Sequence, residues 1–143
     1  MADFSEAQDL GKGVLRFLYD LGFDGVTELT LPNDRRADVV AVDKGGAVIA
    51  VEIKMSLADF RADQKWPEYL DYCDRFYFAV PEGFPVDVLP EDHGLLIVDR
   101  FGADEARPAP EGKMNASRRR AVTLRLARAA SQRLGMLNDP REG

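Results

Sequence analysis

The pattern of hydrophobic and polar positions is most informative in the first half of the chain. Residues 36–43 and 47–54 are both rich in Val, Ile and Ala, and residues 44–46 (Lys-Gly-Gly) separate them. Two such segments around a short loop that contains glycine predict a β-hairpin. Charged residues interrupt this apolar pattern at three positions, namely Asp38, Glu52 and Lys54.

Helical spacing predicts helices before and after this hairpin. An apolar stripe begins after Ser5 and ends before Gly22, and Gly11 and Gly13 within it indicate that something packs closely against the helix. A second helix begins at Ser56, and a break is expected before Pro67. The other predicted elements are a strand at 26–31, a strand at 75–81, a helical turn at 85–89, a strand at 94–99, a loop at 101–115 and a helix at 117–134.

This order of elements predicts an α/β fold with a mixed central sheet flanked by helices. Residues 75–81 and 94–99 are apolar on both faces, as in strands that helices cover on either side. A chain of 143 residues is long enough for one domain with its own core. We therefore expect a single domain over 1–143 that ends in a helix at about 117–134.

Composition excludes several classes of protein and of site. The chain is 45% hydrophobic and 31% charged, and no apolar run approaches the roughly 20 residues of a membrane span. The N-terminus lacks the pattern of a signal peptide, so a cytoplasmic protein without membrane contact is expected. With Cys73 and His93 as the only residues of their types, a thiolate zinc site and a Ser-His-Asp triad are improbable.

Charge is distributed unevenly along the chain. The formal net charge is −6, yet residues 113–134 carry seven basic and no acidic side chains. In the predicted last helix, Arg118, Arg125 and Arg128 fall within an arc of about 80°. They are candidate DNA contacts, although a basic helix is also compatible with a solvated face. The same helix presents an apolar stripe that should pack on the body, formed by Val122, Leu126, Ala130 and Leu134.

The hairpin register predicts a pair of carboxylates. If residues 44–46 form a three-residue loop, Asp38 lies opposite Glu52, with Cβ atoms about 5 Å apart. Lys54 shares a strand face with Glu52 because side chains alternate along a strand. Carboxylates suit Mg²⁺, which accepts one or two of them together with substrate phosphate. Asp38 and Glu52 are thus candidate metal ligands, with the Ile53 carbonyl as a plausible further ligand and Lys54 as the group that orients or deprotonates the attacking water.

Four further polar residues are candidate accessory groups. Glu28 in the strand at 26–31 can point the same way as Asp38, and Glu6 lies in the first turn of the first helix. Gln64 and Lys65 fall at the break before Pro67. An ordinary surface position explains Glu28, Gln64 and Lys65 equally well, and Glu6 is more simply a first-turn acid that the helix dipole favours.

The stretch from Arg36-Ala37-Asp38 to Glu52-Ile53-Lys54 resembles the motif of the PD-(D/E)xK nuclease superfamily. With residues 56–60 and 74–81 it is similar to the MmcB-like DNA repair proteins. The resemblance implies a restriction-endonuclease-like αβββαβ core with an extra strand and the C-terminal helix. It also implies Asp38 and Glu52 as metal ligands, Lys54 as the catalytic lysine, and Glu28 or Glu6 as an accessory acid. Ala37 replaces the motif's proline, which does no chemistry.

Three functions are compatible with these residues. The first is a nuclease that uses Mg²⁺ or Mn²⁺ to hydrolyse DNA phosphodiester bonds in DNA repair; other repair proteins and a second copy of the chain are candidate partners. The second is a module with the same fold that binds DNA or a repair protein without cutting. The third is a phosphoesterase that acts on a small molecule. A purely structural interpretation, in which Glu52 and Lys54 face solvent at strand ends, competes with all three.

Overall fold

The structure, a computed structural model, describes residues 4–141, with side chains from residue 6 onward. The helices are α1 (Phe4–Asp20), α2 (Leu57–Ala62) and α3 (Ala116–Asn138). The strands are β1 (Asp24–Thr30), β2 (Arg36–Val42), β3 (Val48–Ile53), β4 (Arg75–Val80), β5 (Gly94–Asp99) and β6 (Gly102–Arg107). Two 3₁₀ segments, Trp66–Tyr72 and Val86–Val88, complete the described elements.

The six strands form one mixed sheet in the order β1-β2-β3-β4-β5-β6. Strands β3, β4 and β5 are parallel, and the other neighbours are antiparallel. From α1 to β4 the elements follow the αβββαβ order of a restriction-endonuclease-like core. The predicted fold class is therefore confirmed.

The central hairpin has the predicted register. Val39 pairs with Val51 and Val42 with Val48, and the Asp43 N–H donates to the Ala47 carbonyl at 3.1 Å. The loop between them has the three residues expected, and Gly46 adopts a positive φ of 90°, which favours glycine. The same register places Asp38 across from Glu52.

Helices cover both faces of the sheet, so the core has two layers. On one face, Leu10, Val14 and Leu18 of α1 pack against apolar residues of β2 to β5. On the other face, Phe60 of α2 and Val122 of α3 join a cluster built on the aromatic residues of β4. None of the helices between residues 4 and 141 combines the length and the hydrophobicity needed to cross a bilayer.

Close packing at α1 explains one of its two glycines. A Cβ atom at Gly13 would lie 1.7 Å from the carbonyl oxygen of Asp99 and 2.9 Å from that of Gly102. Any other residue at this position would force α1 away from the turn between β5 and β6. The prediction that something packs closely against this helix is confirmed at Gly13.

Two predicted boundaries were wrong. Residues 102–107 form edge strand β6 instead of a loop; an edge strand pairs on one side only, and this one is mostly polar, so its sequence lacks an apolar alternation. Helix α3 continues through Gly135 to Asn138, because a single glycine costs a helix only about 1 kcal/mol. In the predicted apolar stripe, Val122 is buried whereas Leu134 is 59% exposed. Ser5, after which the first helix was expected to begin, lies outside the described side chains.

Candidate active site

A cavity of about 790 Å³ opens where β3 ends, between α1 and the segment that follows α2. Asp38 of β2, Glu52 of β3 and Lys54, which follows β3, all line this cavity. The structure therefore brings together the three residues that the sequence singled out. Their convergence excludes the interpretation in which Glu52 and Lys54 face solvent, since these residues are only 5% and 3% exposed.

The backbone fixes the ends of the two strands that carry these residues. The Asp38 carboxylate accepts a hydrogen bond from the Ile53 N–H at 2.7 Å. The Lys54 N–H donates to the Ala79 carbonyl of β4 at 2.9 Å. Ile53, the source of the candidate carbonyl ligand, also lines the cavity. Two carboxyl groups, the Ile53 backbone and a lysine are thus placed around one cavity.

Glu52 has a pKa well above the usual range of a carboxyl group. Burial raises its pKa to about 9, and the hydrogen bond with Asp38 and the negative charge of Asp38 act in the same direction. The positive charge of Lys54 opposes this shift without cancelling it. In the absence of a cation, this raised pKa favours the protonated form of Glu52 at neutral pH, because a buried acid beside a second carboxyl group is costly to ionise.

Tyr69, in the 3₁₀ segment Trp66–Tyr72, completes the inner wall of the cavity. Its hydroxyl donates to the Arg36 carbonyl at 3.1 Å and also interacts with Glu52. Burial, followed by the charge of Glu52, raises the pKa of Tyr69 above its usual range. The sequence did not indicate this contact, because Tyr69 lies 17 residues beyond Glu52 in a different element.

The accessory candidates occupy different positions. Glu28 lies across from Asp38 in the register of β1 and β2 and lines the cavity, but its backbone is left-handed, with φ of 52°. Lys65 also lines the cavity. The Gln64 amide donates to the Phe60 carbonyl, and Glu6 is exposed in the first turn of α1. Among the residues described, no three or more His, Cys, Asp or Glu side chains are grouped to hold one metal ion.

Further cations line the cavity beyond those predicted. Lys12 of α1 and the adjacent Arg35 and Arg36 contribute to its wall. Arg35 forms an ion pair of 2.5 Å with Glu68, which itself is half-exposed. Arg35 precedes β2 and Arg36 is its first residue, two positions before Asp38, so their position in the sequence is a signal that could have identified them.

The arginines of α3 divide into two groups. Arg119 and Arg133 hold the helix on the body: Arg119 bonds Asp74 at 2.6 and 2.7 Å, and Arg133 donates to the carbonyls of Thr27 and Glu28 at 2.5 and 2.9 Å. The three predicted DNA contacts are all exposed, namely Arg118, Arg125 and Arg128. Arg118 also lies 3.5 Å from the carboxylate of Asp71.

Comparison with known proteins gives a family and a structural relative. A solved structure of a protein of unknown function from Silicibacter pomeroyi is 40% identical, with a TM-score of 0.93 over 99% of this chain and 98% of that chain. A repair endonuclease from Pyrococcus abyssi is 21% identical over 57% of this chain and 38% of that chain, and its TM-score of 0.37 is too low to support an argument. No protein of curated function matches. The family model described as "DNA repair protein MmcB-like" matches residues 3–141, so the chain belongs to the MmcB-like family of DNA repair proteins.

Proposed function

We propose that this protein is a metal-dependent nuclease that hydrolyses DNA phosphodiester bonds during DNA repair. The observation that carries the proposal is the placement of Asp38 and Glu52 on adjacent strands in one open cavity, with Lys54 beside them. Membership in a family of DNA repair proteins supports the choice of DNA as substrate.

The donor set fits a hard divalent cation. Asp38 and Glu52 supply carboxylate oxygens, and the Ile53 carbonyl is the further candidate ligand, which suits Mg²⁺ or Mn²⁺. A bound ion of this kind polarises a phosphate oxygen and lowers the pKa of a coordinated water. Burial and the neighbouring Asp38 favour the protonated form of Glu52, so binding of a cation would release that proton and would strengthen as the pH rises.

The protein's own groups then have distinct roles. Lys54 is buried beside Glu52, where its ammonium group orients the attacking water and offsets the negative charge that develops on the phosphate. Lys12, Arg36 and Lys65 line the same cavity and supply positive charge for the neighbouring phosphates of a DNA strand. The exposed Arg125 and Arg128 of α3 are candidates for more distant phosphate contacts.

The test is cleavage of end-labelled single-stranded, duplex and gapped DNA with Mg²⁺ or Mn²⁺. Asp38→Asn, Glu52→Gln and Lys54→Met should each lower the rate by about 100-fold or more, since each removes a group that acts on the reacting phosphate. Asp34→Asn is the matched control, because Asp34 lines the same cavity and asparagine tolerates its left-handed backbone. Equal cleavage by all five proteins, or none by the wild type on any substrate, contradicts the proposal.

A second function, a module that binds DNA or a repair protein without cutting, is favoured by one observation. Glu52 and Lys54 are almost completely buried, which restricts the approach of a substrate to both of them at once. For such a module, DNA binding is sensitive to salt, is independent of metal and is never accompanied by nicking. A gel-shift assay in EDTA, run beside the cleavage assay, separates the two functions.

A further inference from the structure

The turn between β5 and β6 carries an exposed aromatic residue beside an arginine. Phe101 is 69% exposed. The guanidinium carbon of Arg100 lies over its ring, 5.4 Å from the ring centre. The arginine covers one side of the ring, and the high exposure leaves the rest of the ring accessible to a ligand. A flat aromatic surface with an adjacent cation matches the chemistry of a nucleotide, which combines a base and a phosphate.

The backbone of this turn is held rigidly. The Asp99 carboxylate accepts hydrogen bonds from the N–H groups of Phe101 and Gly102 at 2.8 and 3.1 Å. Helix α1 packs directly on the same turn, where Gly13 leaves no room for a Cβ atom against the Asp99 carbonyl. Phe101 is therefore presented from a fixed position, which lowers the entropy cost of binding through it.

The turn lies at the same end of the strands as the candidate active site. Strands β3, β4 and β5 are parallel, so their carboxyl ends share one edge, and the register aligns Glu52 with Phe78 and Leu95. Asp99 lies four residues beyond Leu95 and two strands across from Glu52, a separation of about 16 Å at typical strand dimensions. A stacked DNA strand covers that distance in about five nucleotides. Helix α1 connects the two positions, because Lys12 lines the cavity and the next residue, Gly13, packs against the turn.

We propose that Arg100 and Phe101 bind an unpaired base of the DNA strand that enters the cavity, by stacking of the base on the Phe101 ring. This inference rests on the proposed function, in which DNA binds at this end of the sheet. Every base has a flat face, so the contact does not depend on sequence. It favours single-stranded or gapped DNA over a continuous duplex, because bases in a duplex already stack on their neighbours. It also suits a protein with a net charge of −6, which cannot rely on a broad basic surface.

Fluorescence anisotropy with a fluorescein-labelled 12-nucleotide single strand and the matched duplex, both in EDTA, tests the inference. Phe101→Ala should weaken binding of the single strand roughly ten-fold and affect the duplex less. Phe101→Trp should restore binding, and its added tryptophan emission should be quenched by the unlabelled single strand. Tyr19→Ala is the matched control, since Tyr19 is 71% exposed at the far end of α1, and should bind both probes like the wild type.

Two results overturn the inference. If Phe101→Ala binds the single strand as tightly as the wild type, the turn does not hold a base; the nuclease proposal stands in that case, provided that Asp38→Asn abolishes cleavage. If the wild-type chain binds neither probe, the stacking contact is rejected whatever the cleavage assay shows. An equal loss in Phe101→Ala and Tyr19→Ala also counts against a contact specific to this turn.

Discussion

A buried carboxyl group lies at each end of β3, and the pKa values of the two groups are shifted in opposite directions. At the start of the strand, Asp74 accepts two hydrogen bonds from Arg119 and one from the Val48 N–H at 2.8 Å. These bonds, those from Arg119 first, hold the pKa of Asp74 below its usual range. Near the end of the strand, Glu52 faces the carboxyl group of Asp38, and its pKa is raised to about 9.

The difference distinguishes an acid whose charge an arginine already neutralises from one that, in the proposed function, would bind a cation. Asp74 already has a cation of matching shape, because a guanidinium group fits a carboxylate with two parallel hydrogen bonds. Glu52 has a lysine nearby, yet its charge does not outweigh burial and the neighbouring Asp38. Such an arrangement is unfavourable for folding when Glu52 is ionised, and a divalent ion would relieve it. Strongly perturbed acids of this kind, located in a cavity, are candidates for functional groups.

The largest expected effect concerns Asp74, the acid that forms an ion pair with Arg119. Arg119→Met should lower the free energy of unfolding by about 3–5 kcal/mol, because it leaves the buried Asp74 carboxylate without its cation. Urea unfolding at pH 7 measures this loss. Arg120→Met, an exposed position of the same helix, should stay within about 0.5 kcal/mol of the wild type. Addition of Asp74→Asn to Arg119→Met should recover part of the stability; no recovery would show that Arg119 acts through packing alone.

Whether the sequence could predict each of these contacts depends on how far apart the two residues lie along the chain. Asp38 and Glu52 belong to one hairpin whose three-residue loop fixes the register, so their proximity could be predicted. Asp74 and Arg119 are 45 residues apart, and their contact depends on how α3 is rotated against the sheet, which a helical pattern does not specify.

The sequence also contained little information on the two edge strands, β1 and β6. Strand β6 pairs on one side only and is mostly polar, so no hydrophobic alternation revealed it. Strand β1 was predicted, yet the left-handed backbone at Glu28 was not, because nothing in the local sequence requires it. Tertiary contacts accompany the left-handed backbone at Glu28, since Arg133 of α3 donates hydrogen bonds to the carbonyls of Thr27 and Glu28.

A smaller effect is expected from replacing Glu52, the acid whose pKa is raised. A carboxyl group whose pKa is raised on folding, from 4.5 to about 9 at Glu52, contributes stability that is complete below the lower value and is lost as the pH rises through the higher one. Glu52→Gln keeps the shape and a hydrogen-bond donor for Asp38 but cannot ionise. The variant should therefore be more stable than the wild type at pH 9 by about 1–3 kcal/mol, and similar to it at pH 5.

Urea titrations at pH 5, 7 and 9 in EDTA measure this difference. Glu105→Gln is a suitable control, because Glu105 is an exposed acid of edge strand β6 that also bonds a tyrosine. Its stability profile should keep the wild-type dependence on pH above 7. If the profiles of Glu52→Gln and the wild type run parallel from pH 5 to 9, Glu52 does not titrate in this range, and the contrast with Asp74 fails.

The smallest effect is expected at Tyr69, whose hydroxyl contacts both the Arg36 carbonyl and Glu52. Tyr69→Phe should cost about 1 kcal/mol at pH 6 through the lost hydrogen bond. The cost should increase toward pH 9, because the hydroxyl stabilises Glu52 in its ionised form and so lowers its pKa. Tyr77→Phe provides the comparison: the Tyr77 hydroxyl donates to Glu105 at 2.6 Å, so this variant should lose stability by an amount that does not depend on Glu52. In the Glu52→Gln background, the pH dependence of the Tyr69→Phe cost should disappear, and its persistence there would assign the effect to the Arg36 contact instead.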